Sequence, residues 1–389
     1  MESDSAADDG LSLGVFASSR KENEHRLPLH PGHLRRIPSD LQQRIFLEEG
    51  YGDRFGLPDE QLRAHVAGFG SLEQLVAECD VILNPKPMLD DIAQLREGQV
   101  FWGWPHCVQD DRLTQVAIDR RLTLIAFEAM NHWNRDGSFN LHVFHANNEL
   151  AGYCSVLHAL QLNGATGHYG PPLHGVVIGF GATARGAVLA LNSLGVHDVD
   201  VLTHREVSAV ASPIHSARLF HFDRRPVNGR ATQVETDGGA VPVPEFLARH
   251  DVIVNCVLQQ TDSPEMFMTD EDLPTMRPGS LVVDVSCDEG MGFSWAKPTS
   301  FEDPVFTVGD HVTYYAVDHS PSYLWKSATW VNSEAILPFV GPVLAGPSAW
   351  REHPTIRRAV EIQDGVIQNP AILTFQGRSP QHPHHPIAT

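Results

Sequence analysis

Short apolar runs alternate with stretches of helical spacing along the first third of the chain. Each run ends in polar or turn-forming residues, which is typical of a parallel sheet whose faces are covered by helices. Ser39 follows Pro38 and is a good N-cap, so we predict a helix over residues 39–49. The predicted strands cover residues 11–17, 80–83, 99–104 and 122–127, and a second predicted helix covers residues 110–120.

A longer helical stretch over residues 148–162 precedes a segment rich in Gly and Pro and predicts a connection between two domains. Strand and helix then alternate again from His174. Helices predicted at residues 327–339 and 355–362 would return to the first domain. The elements predicted in the second domain are a buried strand from residue 174, a helix over residues 182–194, and strands over residues 199–202, 251–258 and 280–285.

We therefore predict an α/β fold with two doubly wound, Rossmann-like domains and an inter-domain cleft. A chain of 389 residues suits two domains, because one domain usually holds about 100–200 residues. The predicted substrate (catalytic) domain comprises residues 1–147 and 320–376, and the predicted NAD(P)-binding domain comprises residues 148–319. Residues 377–389 are rich in Pro and His and are predicted to form a disordered tail. A metal site at His382, His384 and His385 is the alternative for this tail.

Composition narrows the classes of function by exclusion. The net charge of −20 argues against nucleic acid as a partner, because phosphate contacts need a basic surface. No apolar run reaches the length of about 18 residues that a membrane helix needs, so no membrane partner is expected. The five cysteines are scattered and form no CxxC pair, which indicates a cytoplasmic protein without structural zinc; we predict no metal.

A glycine-rich loop, GFGATARG, follows the strand from residue 174 and opens the next predicted helix. Gly179 permits the tight turn, and Gly181 lets the backbone approach a pyrophosphate. Ala184 and Gly186 would let the helix and the strand pack closely. The helix N terminus presents unpaired N–H groups to an anion. We predict a dinucleotide site here; a glycine-rich turn of another α/β domain is the alternative.

The end of the following strand bears on the choice of dinucleotide. NAD sites usually carry Asp or Glu there, about 20 residues after the glycines, to bind the ribose 2′-hydroxyl. This chain has Thr203, His204 and Arg205 instead, and a guanidinium suits a 2′-phosphate. The pattern favours NADP (NADPH) and leaves NAD possible; the alternative is that Arg205 is a solvated surface residue.

Charged residues also follow several predicted strands. Arg26 comes after the first strand, Lys86 and His106 follow two later strands of the first domain, and Asp288 follows a strand of the second. Side chains past the carboxyl ends of parallel strands line the crevice in which ligands bind. Any one of them alone is more often structural or solvated, so the hypothesis rests on their shared position.

Several long segments resemble the alanine dehydrogenase, transhydrogenase and saccharopine dehydrogenase superfamily, and within it the N5-(carboxyethyl)ornithine synthases. The short segments DHSPS and HCVQD lean towards saccharopine dehydrogenases instead. The resemblance extends over nearly the whole chain. The segments that carry it are KENEHRLPLHP, LREGQVFWGWPH, NELAGYCSVLHAL, VIGFGATARG, VVDVSCDEG and residues 298–322.

The resemblance implies a role for each matching residue. Arg26 would bind a substrate carboxylate, Lys86 would bind or polarise the reacting carbonyl, and His106 would be the general acid–base. Asp288 would lie beside the nicotinamide, so that Lys86, His106 and Asp288 form the catalytic set. Glu128 matches an acidic position near the catalytic pair. His319 stands in a segment that departs from alanine dehydrogenases and is expected to bind substrate.

The implied enzyme is an NAD(P)-dependent oxidoreductase acting on the CH–NH group of amino acids. The predicted reaction condenses a 2-oxo acid such as pyruvate with the amine of ornithine or lysine and reduces the imine with NADPH. Its expected partners are the small-molecule amino acid and 2-oxo acid, and the chain is expected to be a homo-oligomer. The alternatives are an amino-acid dehydrogenase of the alanine or saccharopine type and a catalytically silent cofactor-binding protein.

Overall fold

The structure, a computed structural model, describes residues 10–204, 216–223, 233–259 and 264–387. The chain divides into two compact units. Unit 1 comprises Met1–His145 and Trp325–Thr389, and unit 2 comprises Ala146–Leu324. Each unit is built on a mostly parallel sheet, so the predicted α/β class with two Rossmann-like domains is confirmed. In the described ranges, no helix has the length and apolar character that spanning a membrane requires.

The first part of unit 1 alternates strands with short helices. Strands β1 to β6 pair in parallel, and β7 and β8 form an antiparallel hairpin. The elements are β1 (Leu13–Val15), α1 (Ser39–Gln42), β2 (Ile45–Glu48), α2 (Asp59–Leu62), β3 (Gly68–Gly70), α3 (Leu72–Glu78), β4 (Val81–Leu83), α4 (Leu89–Ala93), β5 (Val100–Gly103), α5 (Asp111–Asp119), β6 (Thr123–Ala126), β7 (Asn131–Trp133) and β8 (Phe139–His142).

Strand β2 corrects the sequence prediction of a helix over residues 39–49. The helix α1 ends at Gln42, and Ile45 and Leu47 are fully buried while the residues between and after them are partly exposed. This alternation has the period of a strand. The stretch pairs with β1, so its apolar side chains join the core of the sheet instead of one helix face.

Unit 2 holds a sheet of nine strands in the order β13-β12-β11-β10-β9-β14-β16-β19-β18. Strands β9, β10, β11, β14, β16 and β19 run parallel. The elements are α6 (His145–Leu162), β9 (His174–Ile178), α7 (Ala182–Ser193), β10 (Asp198–Thr203), β11 (Arg218–Asp223), β12 (Gln233–Thr236), β13 (Gly239–Pro242), α8 (Val243–Leu247), β14 (Val252–Asn255), β15 (Met266–Met268), β16 (Leu281–Asp284), β17 (Gly292–Phe293), β18 (Val305–Val308) and β19 (Val312–Tyr315).

The chain then returns to unit 1 and extends its sheet. Strand β20 pairs antiparallel with β6 and brings β21 with it, which gives the order β21-β20-β6-β5-β4-β1-β2-β3. The helix predicted over residues 355–362 is therefore wrong over its last three residues, which belong to strand β20. The returning elements are α9 (Trp325–Leu344), α10 (Pro347–Glu352), α11 (Pro354–Ala359), β20 (Val360–Gln363), β21 (Val366–Ile367) and α12 (Pro370–Phe375).

The segment after α12 differs from the predicted disordered tail. Arg378 and His384 are both buried. The Arg378 guanidinium donates to the carbonyl oxygens of Asp111 and His384, and the His384 ring bonds the backbone of Ser379 and Ile367. These contacts satisfy a charged group and a polar ring inside unit 1, which the Pro- and His-rich composition does not suggest.

Candidate active site

The order of the strands brings three predicted residues to one edge of the unit 1 sheet. Strand order reverses at β1, which lies between β2 and β4. In doubly wound sheets, ligands bind past the carboxyl ends of the strands at such a reversal. Arg26 lies in the segment after β1, Lys86 follows β4, and His106 follows β5.

Lys86 and His106 are in direct contact. The Nζ atom of Lys86 lies 3.0 Å from Nε2 of His106. An ammonium group can only donate, so a charged Lys86 requires Nε2 to accept and leaves the ring proton on Nδ1. The His106 side chain is 41% exposed, which leaves the ring open to a ligand. Such a pair can transfer a proton to or from a bound substrate.

The Glu128 carboxylate lies behind the His106 loop. Its Oε1 accepts the His106 backbone N–H at 2.7 Å and lies 3.8 Å from the ring Nδ1. Its Oε2 is buried and has no hydrogen-bond partner within the described part of the chain. Burial raises the pKa of Glu128, and the neighbouring Glu361 carboxylate raises it further. Its surroundings therefore favour the neutral form of the carboxyl group.

Glu361 of β20 is the second carboxyl group of this region, and the sequence analysis missed it. It is buried, and burial raises its pKa although Asn369 donates to its Oε1 at 2.9 Å. Burial raises the pKa of both carboxyl groups and the Glu361 charge raises that of Glu128 further, so the pair favours a state that holds a proton. Nothing in the local sequence around Glu361 indicates this, because β20 reaches β6 only through the return of the chain.

Arg26 is held more tightly than a free carboxylate receptor would be. Its Nε donates to Oε1 of Glu24 at 2.8 Å, its Nη2 bonds Oε2 of the same carboxylate, and only 4% of its side chain is exposed. The guanidinium also lies 5.5 Å from the centre of the Trp104 ring. Arg26 is therefore part of a buried ion pair stacked on an aromatic ring. The spacing of Glu24 and Arg26 in KENEHR was the signal for this pair.

The glycine-rich loop of unit 2 has the geometry predicted for a phosphate cradle. Gly179 follows β9 with φ of +112°, a conformation that favours glycine. Gly181 caps α7, and no described atom lies within 4 Å of the place a Cβ would occupy. The first N–H groups of α7 have no partner inside the helix. A pyrophosphate fits here, because the backbone at Gly181 is uncovered at the N terminus of α7, where the helix dipole favours an anion.

Gly186 has another role than the predicted contact between helix and strand. A Cβ at Gly186 would lie 1.7 Å from the carbonyl oxygen of Glu149, which belongs to α6. On the other helix, a Cβ at Gly152 would lie 1.9 Å from the carbonyl oxygen of Thr183. The two glycines thus allow α6 and α7 to pack backbone to backbone, while Ala184 is fully buried in the core around β9.

The structure describes two of the three residues predicted to select the dinucleotide. Thr203 ends β10 and is buried, and His204 follows it and is exposed. Arg205 lies outside the described residues. The β10 strand lies next to β9, so Thr203 and His204 follow the strand adjacent to the glycine-rich loop.

Asp288 lies in the loop after β16, and a buried aspartate holds the start of that loop. Asp284 accepts hydrogen bonds from Nδ2 of Asn255 at 2.9 Å, from the hydroxyl of Tyr314 at 2.7 Å, and from the backbone of Ser286. Burial raises the pKa of Asp284 to about 7 and also raises the pKa of Asp288. The sequence analysis singled out Asp288 but missed Asp284.

His319 is buried in unit 2 rather than displayed. Its Nδ1 lies 2.5 Å from Oδ1 of Asp318, and its ring packs edge-on against Phe301 at 4.9 Å between centres. The imidazole is therefore held by an adjacent carboxylate. The predicted role of His319 in substrate binding stays a prediction.

Comparisons with known proteins agree with this architecture. The N-terminal domain of the family "Alanine dehydrogenase/PNT" matches residues 14–148, and its C-terminal domain matches residues 165–370. The alanine dehydrogenase of Mycobacterium tuberculosis is 23% identical over 386 residues, which cover 94% of this chain and 97% of that protein. The N(5)-(carboxyethyl)ornithine synthase of Clostridium botulinum is 23% identical and covers 84% of this chain and 92% of its own length.

A solved L-alanine dehydrogenase superposes with a TM-score of 0.72 at 20% identity, covering 94% of this chain and 99% of that chain. This likeness shows the shared fold. The two domain matches cover most of the sequence and confirm the family that its motifs predict. The chain therefore belongs to the alanine dehydrogenase/PNT family of NAD(P)-dependent oxidoreductases.

Proposed function

We propose that the chain catalyses the NADPH-dependent reductive condensation of a 2-oxo acid, such as pyruvate, with the amine of an amino acid such as ornithine or lysine. The amine and the oxo acid lose water and form an imine. The nicotinamide dinucleotide supplies a hydride to the imine carbon, and a proton on nitrogen completes a secondary-amine dicarboxylate. The observation that carries the proposal is the contact between Lys86 and His106, which supplies the proton chemistry.

The assignment of the two ligands follows the two domains. The predicted substrate domain, residues 1–147 and 320–376, contains the Lys86 and His106 pair. The predicted NAD(P) domain, residues 148–319, contains the glycine-rich loop, where Gly181 leaves the backbone open to a pyrophosphate. NAD sites usually carry an acid after this strand, whereas this chain has Thr203 and His204 there, followed in the sequence by Arg205. A guanidinium at this position favours the 2′-phosphate of NADP.

Lys86 and His106 would divide the proton work. A charged Lys86 polarises the carbonyl oxygen of the oxo acid and gives it a proton as it leaves as water, while His106 Nε2 takes a proton that the amine nitrogen loses. The raised pKa of Glu128 favours its neutral form, which adds no negative charge behind the ring. The proton that Nε2 takes up can therefore pass to the nitrogen that becomes the secondary amine.

Arg26 would orient the 2-oxo acid from a fixed position. The Glu24 carboxylate holds its Nε and Nη2, and none of the described residues accepts a hydrogen bond from its Nη1. A substrate carboxylate would therefore meet one edge of a guanidinium that cannot swing away. Preorganised donors of this kind reduce the entropy lost on binding.

The acidic pair Asp288 and Glu289 supports a basic amino acid as the amine donor. Glu289 is exposed and Asp288 is partly buried, so the pair presents carboxyl groups from one loop. Opposite charges attract more strongly where solvent is partly excluded. Glu128 and Asp318 carry less of this argument, because Glu128 favours its neutral form and Asp318 holds His319.

Amino-acid dehydrogenation with free ammonia is the second candidate. The M. tuberculosis alanine dehydrogenase favours it, since it matches 94% of this chain, a larger share than the 84% that the carboxyethylornithine synthase matches. This reaction would use the same proton chemistry at Lys86 and His106. It differs only in the size of the amine that the enzyme admits.

The deciding experiment is a pair of assays run side by side. Purified enzyme receives NADPH and pyruvate with ornithine or lysine in one mixture and with saturating ammonium in the other, and products are identified by mass. We expect much faster NADPH oxidation with the basic amino acid than with ammonium. The product should have the mass of the secondary amine that joins the amino acid to the reduced oxo acid. Alanine formed from ammonium, with no secondary-amine adduct from any amino acid, would refute the synthase and support the dehydrogenase.

A further inference from the structure

Gln376, the residue that caps the end of α12 and precedes the tail predicted to be disordered, contacts the loop that carries His106. Nε2 of Gln376 donates to the carbonyl oxygen of Cys107 at 2.7 Å and lies 3.2 Å from that of Val108. The same Cys107 oxygen accepts the hydroxyl of Thr114 at 2.8 Å. One side-chain amide therefore contacts the carbonyl oxygens of the two residues that follow His106.

The turn after His106 depends on these contacts. His106 has φ of +50°, a left-handed conformation that is strained for a non-glycine residue. Its carbonyl oxygen accepts the backbone N–H groups of Gln109 and Asp110 at 3.1 and 3.0 Å and so closes the turn. A strained turn persists only where its surroundings hold it. Gln376 supplies part of that support from outside the turn.

Arg378 fixes the amide of Gln376 in the orientation that this contact needs. Its Nε donates to Oε1 of Gln376 at 2.6 Å, so Oε1 is held as the acceptor and Nε2 is left to donate. Arg378 is buried and is itself anchored to α5, because it donates to Oε1 of Gln115 at 2.7 Å and to the carbonyl oxygen of Asp111 at 3.0 Å.

His384 closes the 376–387 segment on itself. Its Nε2 accepts the backbone N–H of Ile367 at 3.1 Å, and its Nδ1 donates to the carbonyl oxygen of Ser379 at 3.0 Å. The backbone N–H of Ile387 donates to the carbonyl oxygen of Gly377 at 2.7 Å. The segment therefore forms a closed loop that presents Gln376 and Arg378 to the His106 turn.

We propose that Gln376 is a positioning residue for His106, that Arg378 acts through Gln376, and that the 376–387 segment therefore sets the geometry of the Lys86 and His106 pair. The catalytic part of this inference rests on the proposed function, whereas the positioning part does not. Loss of the Gln376 amide would let the His106 turn open and would break the contact between Nε2 and Lys86 Nζ.

The test reads the His106 turn directly, so that it does not depend on the identity of the substrate. Full-length enzyme and the variants Gln376→Met, Arg378→Ala and their double mutant are compared. Met keeps the length of the side chain and removes the donor. Hydrogen exchange follows the amides of Gln109 and Asp110, and mass spectrometry follows the rate at which diethylpyrocarbonate modifies His106. Gln368→Met is the matched control, because the Gln368 amide bonds the nearby Val366 carbonyl instead.

We expect Gln376→Met to accelerate exchange of both amides about tenfold, the change that loss of one ordinary hydrogen bond makes in an opening equilibrium. His106 should also react faster, since its Nε2 is no longer held by Lys86. Arg378→Ala should show the same acceleration as Gln376→Met, and the double mutant should exceed neither, because the two residues act in series. In the condensation assay, kcat should fall about tenfold while the KM for NADPH is unchanged.

Equal exchange and equal His106 reactivity in Gln376→Met and Gln368→Met, at matched melting temperatures, would overturn the positioning role. An Arg378→Ala effect of full size in the Gln376→Met background would overturn the relay through Gln376. If His106→Ala retains turnover, the proposed function fails, but the exchange and modification results still decide whether Gln376 positions this turn.

Discussion

Lys86 Nζ lies 3.0 Å from His106 Nε2, and this contact ties together the loops that follow two adjacent parallel strands. Residues 20 positions apart in the chain become neighbours because β4 and β5 end at the same edge of the sheet. The contact also fixes the side of the ring that carries the proton. It is the feature from which the chemistry of unit 1 follows.

Removing either partner should disable turnover and leave nucleotide binding intact. We expect Lys86→Ala and His106→Ala each to lower kcat by a factor on the order of 10²–10⁴, the usual contribution of general acid–base catalysis. The glycine-rich loop lies in unit 2, so the dissociation constant for NADPH, measured by fluorescence titration, should barely change. The double mutant should be no slower than the worse single mutant. Near-normal turnover in both single mutants would leave them as ordinary loop residues.

Glu128→Gln should retain most of the activity near neutral pH. Glutamine has the shape of the protonated carboxyl group and can still accept the His106 backbone N–H, so we expect kcat within about tenfold of the wild-type value. As pH rises through the raised pKa of Glu128, the carboxyl group of the wild-type enzyme ionises beside His106. The turnover rate of the wild-type enzyme should then change. The Glu128→Gln profile should lack that alkaline change. A loss at neutral pH as large as that of His106→Ala would show that the ionised carboxylate is needed.

Asp284 should make the stability of the chain depend on pH. Its pKa is raised to about 7 in the folded chain and is about 4 in an unfolded chain. Between these values the folded state holds the extra proton, so the free energy of unfolding should fall as pH rises from about 4 to about 7, by at most ~1.4 kcal/mol per pH unit.

Asp284→Asn cannot ionise, so its urea unfolding curves should show a flatter pH dependence over this window. Asp303→Asn, a change at an exposed acid of the same unit, should follow the wild-type profile. Parallel pH profiles for wild type and Asp284→Asn would mean that the carboxylate is already ionised in the folded chain.

Two glycines of α7 and its cap should respond oppositely to alanine. A Cβ at Gly186 would lie 1.7 Å from the backbone of α6, so Gly186→Ala should lower the free energy of unfolding by about 1–3 kcal/mol or more through overpacking. Gly181 has φ of −83° and open space around it, so Gly181→Ala should keep the stability of the wild type and weaken NADPH binding. Thermal melts and nucleotide titrations measure the two effects. A stable Gly186→Ala variant would contradict the close helix packing.

Arg205→Ala tests the choice of dinucleotide that the sequence predicts. If the guanidinium binds the 2′-phosphate, the variant should raise the KM for NADPH much more than the KM for NADH, since only NADPH carries that phosphate. Steady-state rates with both dinucleotides decide this, and Arg249→Ala, at an exposed residue of the same unit, serves as the comparison. Better use of NADH than NADPH by the wild-type enzyme would make the prediction of NADP wrong.

The sequence by itself determined the features that depend on local pattern. The glycine-rich loop could be predicted because the conformation of Gly179 and the exposed backbone at Gly181 depend on one short turn between β9 and α7. Lys86 and His106 in the first sheet, and Asp288 in the second, could be proposed because each follows a parallel strand at the edge where ligands bind. The helices α5, α6 and α7 were predicted to within a few residues, because their apolar spacing and N-caps are properties of the segment itself.

The tertiary structure decided what depends on partners distant in the chain. The apolar residues of the 45–48 stretch suit a helix or a strand, and only pairing with β1 made it β2. Glu361 raises the pKa of Glu128 because β20 returns to pair with β6. Residues 377–389 look disordered by composition, yet buried Arg378 finds acceptors on α5. A polar or charged side chain is stable inside a protein only where the fold supplies its partner, and short-range sequence patterns do not contain that partner.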